Sequence, residues 1–227
     1  MLPALIIAAS VRLGAPAVAA LEAQVPSASR AAVEAGVRAW RHALADGAAP
    51  RPEVLTVIDY SRPSTEARLF VFDLASNRLL FRERVAHGRE SGGNATERFS
   101  NSSGSRMSSL GVFRALDAYR GAHGISLRLE GLEPGFNDRA FERAIVVHGA
   151  DYVSDAIVAA QGRLGRSWGC PAVRPGVAKE LIETIRGGSL LVAYYPDAEW
   201  LGRSAFLAVE AGAATAPAPS AGPSSGR

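Results

Sequence analysis

Ala144-Ile145-Val146-Val147-His148-Gly149, followed further on by Gly165-Arg166-Ser167-Trp168-Gly169-Cys170-Pro171, is the part of the chain from which the rest is read. An apolar, β-branched run ending in histidine reads as a buried strand that delivers an imidazole to its open end. Cys170 is the single cysteine of the chain. A lone cysteine is by default a small buried hydrophobe. Here glycine before it and proline after it make a shaped turn rather than a core strand, and small residues let backbone N–H groups approach a bound oxyanion. Cys170 therefore reads as a nucleophile. A thiol attacks as thiolate, and at its ordinary pKa of about 8.5 only a few per cent is ionised at neutral pH, so a base is needed. The histidines are His42, His87, His123 and His148, and all precede Cys170.

These residues resemble the YkuD-type L,D-transpeptidases of bacterial cell walls, in which a His-Gly at a strand end precedes Ser/Thr-His-Gly-Cys. Here the pattern reads His148-Gly149 and then Ser167-Trp168-Gly169-Cys170, with Trp168 in place of the second histidine and Pro171 in place of a branched aliphatic residue. The fit is closest to a subgroup whose motif looks like Gly-Arg-Ser-Trp-Gly-Cys-Pro-Ala, matching Gly165 to Ala172. The resemblance runs from about Val54 to Tyr195 and takes in His87-Gly88 and Ser108-Ser109-Leu110-Gly111. Papain-like peptidases run the other way, cysteine before histidine.

The resemblance implies a mainly β fold with a few helices, a YkuD-like β-sandwich catalytic domain. It also implies cysteine-dependent transpeptidation of peptidoglycan stem tetrapeptides without a cofactor. Cys170 would form a thioester with the third stem residue, releasing D-Ala, and an amine or water would resolve it. His148 would take the thiol proton and return it to the leaving amine, with its other ring nitrogen held by the carbonyl of Gly149. Backbone N–H groups around Gly169 and Cys170, within the Ser167-Trp168 motif, would meet the oxyanion. Carbapenem β-lactams are implied as stem mimics that acylate the cysteine. An imidazole base is expected to hold the Cys170 thiolate pKa well below its free value.

Arg166 and Arg174 flank the nucleophile in sequence and are candidates to clamp a stem carboxylate through bidentate pairs. His87 ends a strand beside a long loop and is a candidate for the acceptor side. His123 is left outside the site, and His42 reads as a solvated residue on a helix.

With 227 residues, 48% of them hydrophobic, the chain supports one domain with a sizeable core plus appendages. Lys+Arg 25 against Asp+Glu 22 is only mildly basic, and with no long run of like charge a nucleic-acid partner is not expected. Met1 to Ala9 is apolar and Ala17-Val18-Ala19 offers a small-residue cleavage site, so residues 1–20 read as a signal peptide and export to the periplasm or envelope is expected. No stretch reaches the roughly eighteen apolar residues of a membrane span. No metal site is expected, since one cysteine and scattered histidines lack the spacing zinc demands. A monomer is expected.

Residues 21–50 read as a helix and hinge, with Val33, Val37, Trp40 and Leu44 on one face, Ser27 or Ser29 able to cap and Gly47 able to stop it. Residues 51–198 read as the catalytic domain. Strands are expected at Val54–Tyr60, Arg68–Leu74 and Leu79–Ala86, with Ala75-Ser76-Asn77 as a hairpin turn. Further strands are expected at Ile125–Glu130, at Ala144–Val147 and at Ser189–Tyr195, and helices over Asp155–Ala160 and around Val177, Leu181 and Ile185. Gly88–Ser109, crowded with Gly, Ser and Asn, reads as a cleft-lining loop that substrate would order. Residues 199–227 read as a C-terminal extension, mostly disordered from its Ala/Pro/Ser/Gly composition.

Three other readings compete. Hydrolysis of the same bond would make the chain an L,D-carboxypeptidase. A sortase-like transpeptidase would want Thr-Leu-x-Thr-Cys, which Ser-Trp-Gly-Cys does not supply. A peptidoglycan-binding module with an inert fold would have no need of the paired His-strand and Gly-Cys turn.

Overall fold

The structure is a computed structural model that describes residues 16–208. The apolar stretch of the expected signal peptide and the Ala/Pro/Ser/Gly tail fall outside the described residues. A short helix, α1 (Val18–Glu22), and a 3-10 turn over Ser27–Ser29 lead into α2 (Arg30–Ala45). Val33, Val37 and Trp40 of α2 are buried, but Leu44 is 41% exposed. The buried face is centred on Gly36 and Ala43, so Leu44 lies at its flank in the last turn. Small residues let this helix sit down on the sheet: a Cβ at Gly36 would meet Val57 Cγ2 at 2.7 Å. No serine side chain caps α2, and Gly47 ends it in the left-handed conformation at φ 67.

Eight strands follow: β1 (Val54–Asp59), β2 (Leu69–Asp73), β3 (Arg78–Glu83), β4 (Gly111–Gly121), β5 (Gly124–Gly131), β6 (Val146–Gly149), β7 (Ala172–Val173) and β8 (Leu190–Tyr194). Between and after them lie α3 (Asp155–Gln161), α4 (Pro175–Ile185), α5 (Ala198–Arg203) and a 3-10 turn over Ala205–Leu207. The strands make one sheet in the order β3-β2-β1-β8-β4-β5-β6-β7. The pairs β1–β8 and β6–β7 are parallel, and the other five are antiparallel. The two edges meet: Ala86, just past β3, donates its N–H to Ala172 O of β7 at 2.8 Å. The layers of the expected β-sandwich are thus two parts of one sheet curled on itself.

Alternation sorts each strand's side chains to two cores. Ile58, Val71, Phe113, Leu127, Val147 and Leu191 point inward, around Leu181, Ile182 and Ile185 of α4. Leu55, Val57, Phe70, Phe72, Val112 and Val192 point to the other face, against α2 and against Trp200 and Phe206. The sequence reading missed β4, whose pattern is broken by a bulge between Ala115 and Ala118, and it set Trp200 and Phe206 outside the catalytic domain. Both are core residues, and a buried carboxylate ties them in. Glu133 accepts from the Val112 N–H at 2.7 Å, from the Trp200 indole at 2.9 Å and from the Ser204 hydroxyl, so its charge is met by donors on two elements.

Candidate active site

Strand register brings the two halves of the motif together. Parallel pairing sets His148 opposite Ala172 and Gly149 opposite Val173, and Pro171 O accepts the His148 N–H at 3.4 Å. Cys170, the next residue back, therefore lies beside the start of β6, near Ala144 and Val146. From the other side the Ser167 N–H donates to His87 O at 3.0 Å, and the Arg89 N–H to Ser167 O at 2.8 Å. Within the turn, Ser167 Oγ donates to Cys170 O at 2.6 Å and accepts the Gly169 N–H at 3.1 Å. Gly169 is obligatory: its φ is 125, and a Cβ there would stand 2.7 Å from Met107 O. Because its N–H is engaged by Ser167, Cys170 is left as the other expected oxyanion donor.

His148 and Cys170 both line a cleft of about 520 Å³. His148 is buried, and its Nδ1 lies 2.9 Å from Gly149 O. Nδ1 therefore carries the proton, leaving the Nε2 lone pair as acceptor. Burial lowers its pKa; the Gly149 carbonyl opposes that and His123 adds to it. The Cys170 thiol donates to Ala144 O at 3.7 Å, a carbonyl aimed by an alanine held at φ 53. Burial pushes the thiol pKa up, against smaller opposing effects from the Val146 N–H and the Arg143 charge. The expectation of a depressed thiolate pKa is thus reversed, because the sulfur loses more hydration than the nearby donors restore. Among the described residues no hydrogen bond joins the sulfur to the imidazole.

Two residues outside the expected set belong to this site. His123, at the tip of the β4–β5 hairpin where Gly121 pairs with Gly124, stacks on His148 with ring centroids 4.5 Å apart and an interplanar angle of 25°. It lines the cleft, contrary to the expectation that set it outside the site; the bulge in β4 hides the hairpin from the sequence pattern. Arg143 also lines the cleft and holds the loop behind the cysteine. Its guanidinium donates to Ser100 O and Ser109 Oγ at 2.6 Å, to Met107 O at 2.7 Å and to Ser105 Oγ at 3.1 Å.

Two expected binding residues, His87 and Arg174, are placed otherwise, and a third, Arg166, is at the cleft. His87 is fully buried, accepts from Arg68 at 2.8 Å through Nδ1 and faces Gly92 O through Nε2 at 3.4 Å. Burial, then the Arg68 charge, depress its pKa to about 4, and it does not line the cleft. Arg174 makes a bidentate pair with Glu83 at 2.9 and 2.7 Å, so its fork is already occupied. Arg166 lines the cleft, but its Nη1 is tied to Arg89 O at 3.1 Å and Gly92 O at 2.8 Å. The 88–109 loop backs the nucleophile instead of lining the cleft: Ser108 Oγ donates to Gly169 O at 3.0 Å and accepts the Gly88 N–H at 3.0 Å.

A family model for the L,D-transpeptidase catalytic domain matches residues 24–194. The chain therefore belongs to that family. Solved structures similar to it include an L,D-transpeptidase from Mycobacterium smegmatis, 16% identical with a TM-score of 0.39, over 63% of this chain and 59% of that one. They also include the Ldtfm–avibactam carbamoyl enzyme, 12% identical with a TM-score of 0.37, over 62% of this chain and 48% of that one. A third is an LD-transpeptidase in complex with imipenem, 14% identical with a TM-score of 0.37, over 62% of this chain and 67% of that one. The chain thus spans only about half to two thirds of the length of these proteins. A search of curated proteins finds no match.

Proposed function

We propose that the protein is a cysteine-dependent L,D-transpeptidase that acts on peptidoglycan stem tetrapeptides. The observation that carries this is His148 with its Nδ1 set against Gly149 O, lining one cleft with the single cysteine, in a chain of that family. In the proposed cycle the Cys170 S–H proton passes to His148 Nε2 as sulfur attacks the carbonyl between the third stem residue and D-Ala. The oxyanion is met by the Cys170 N–H. Collapse breaks the C–N bond, the proton goes to the leaving amine, and a thioester remains on Cys170. An amine of a second stem then attacks, giving its proton to His148 and returning sulfur as thiol. Gly149 O holds Nδ1–H throughout and stabilises the transient imidazolium, so no carboxylate is required.

Export to the cell envelope, where such stems reside, is part of the same proposal and is motivated by the apolar N-terminal run. So is acylation by a carbapenem, whose strained carbonyl offers the sulfur the same chemistry. The test incubates purified protein with disaccharide-tetrapeptides and reads the products by mass spectrometry. Release of D-Ala with formation of a cross-linked dimer is expected, and Cys170→Ala should give neither. D-Ala release without dimer would assign the hydrolytic reaction, and intact substrate would overturn the proposal.

A further inference from the structure

Trp168 lines both the catalytic cleft and a smaller recess of about 220 Å³ that Arg89, Gln161, Arg163 and Arg166 also line. The residue is 71% exposed, and the Arg106 guanidinium lies over its ring at 5.1 Å from the centroid. One ring face is therefore taken by a cation, and the exposure leaves the other open. An indole is among the most favourable side chains to bury, yet here it stands wet, two residues from the nucleophile.

Charge around the ring is unbalanced. Arg89 has Glu90 at 3.3 Å, while Arg106, Arg163 and Arg166 have no carboxylate partner among the described residues. The crowding is felt at Arg166, whose pKa is lowered by burial and then by Arg163 and Arg89. Its Nη1 is pinned by two backbone carbonyls, so this positive charge cannot swing away. A recess with a flat apolar wall, a carboxamide and several guanidinium donors suits a ligand with one flat C–H face, hydrogen-bonding groups round its rim and negative charge. A pyranose ring on a carboxylate-bearing chain has all three. An aliphatic peptide side chain has only the first and would leave Gln161 and the guanidinium N–H groups facing carbon.

We propose that this recess is a subsite for the sugar-linked, acidic end of the substrate, with a pyranose ring lying on the Trp168 indole and a carboxylate on Arg163 and Arg89. The proposal rests on the reading that Cys170 acylates a stem peptide held in the adjoining cleft, since it places the saccharide of the same molecule one side chain away.

Fluorescence quenching tests it without turnover. The chain has three tryptophans, and Trp40 and Trp200 are only 1% and 0% exposed, so collisional quenching reports on Trp168. In the full chain carrying Cys170→Ala, the iodide-to-caesium quenching ratio is expected to be several-fold higher than that of free N-acetyltryptophanamide, because the guanidiniums concentrate the anion. Disaccharide-tetrapeptide should protect the indole more than the free tetrapeptide, which meets it only from the catalytic cleft. Arg89→Gln with Arg163→Gln should weaken the protection and lower the iodide preference without removing it, since Arg106 and Arg166 remain beside the ring. An iodide-to-caesium ratio no higher than that of free N-acetyltryptophanamide, or equal protection by peptide with and without sugar, would overturn the subsite on the Cys170→Ala chain alone, whatever the arginine variants do. Loss of the transpeptidase reading would be seen separately, as intact tetrapeptide with the wild-type enzyme.

Discussion

A thiol pushed up by burial beside a histidine pushed down by burial favours passing the proton during attack over a preformed ion pair. Protonation of His148 removes the acceptor, so activity should fall on the acid side, with its midpoint below the ordinary histidine value because the shift is downward. On the alkaline side the rate of Cys170 alkylation should keep climbing beyond pH 8.5, since the thiol is raised. A pH-independent alkylation rate across neutrality would mean a preformed ion pair and would contradict this account. Replacing the base should be severe: His148→Ala is expected to lower kcat by about a hundredfold to ten-thousandfold. His123 stacks on the His148 ring and works with burial to lower the His148 pKa. His123→Phe, which keeps a ring but carries no charge, should therefore move the acid limb of the activity profile toward higher pH, and an unmoved limb would show that His123 does not act on His148.

At the scale of elements, the turn that carries the nucleophile is held from behind by a long loop, and the loop is held by one arginine. Arg143 meets Ser100, Ser105, Met107 and Ser109 with a single guanidinium. Hydrogen bonds to a charged donor are worth about 1.5–3 kcal/mol each and do not add fully. Arg143→Gln should therefore leave the fold standing but release the loop locally, seen as faster amide hydrogen exchange over residues 99–109 and a lower kcat. Unchanged exchange there would show that Ser108 and Phe99 hold the loop without it. Because these bonds are already made in the free protein, stem peptide is not expected to order 88–109 further. Protection should rise instead at the β4–β5 hairpin, where His123 overhangs the cleft.

Across the whole molecule, two buried charged groups join parts that are distant in sequence. Arg68, fully buried, donates to Val85 O at 3.1 and 2.8 Å, to Arg62 O at 2.8 Å and to His87 at 2.8 Å, which keeps His87 neutral. His87 has a folded pKa of about 4 against an ordinary 6.5. The unfolded chain takes up a proton below 6.5 that the folded chain refuses until about 4, so stability should fall with pH across that window by about 3 kcal/mol at most. Urea unfolding of wild type and His87→Gln at pH 7 and pH 4.5 checks this, and the drop should shrink in the variant. Glu133 is the second such group. Trp200→Ala removes a fully buried indole and one of that carboxylate's donors, and should destabilise by about 3–5 kcal/mol.

Local pattern settled what needed only neighbours in the chain. Alternation announced β1, β2, β3 and β5, the apolar run announced β6 with His148 at its end, and the Gly169-Cys170-Pro171 turn marked the nucleophile. The motif also brought His148 and Cys170 into one reading, because their order and spacing belong to a family pattern. What it could not supply was everything that depends on which strands become neighbours. Whether His87 or Arg174 faces the cleft turns on the curl of the sheet, which buries the first against Arg68 and hands the second to Glu83. His123 and Arg143 lie far from Cys170 in sequence and reach the site only through the β4–β5 hairpin and the turn before β6. The direction of the thiol shift likewise depends on how much water the packed turn excludes, and desolvation is a property of the assembled protein rather than of any stretch of its sequence.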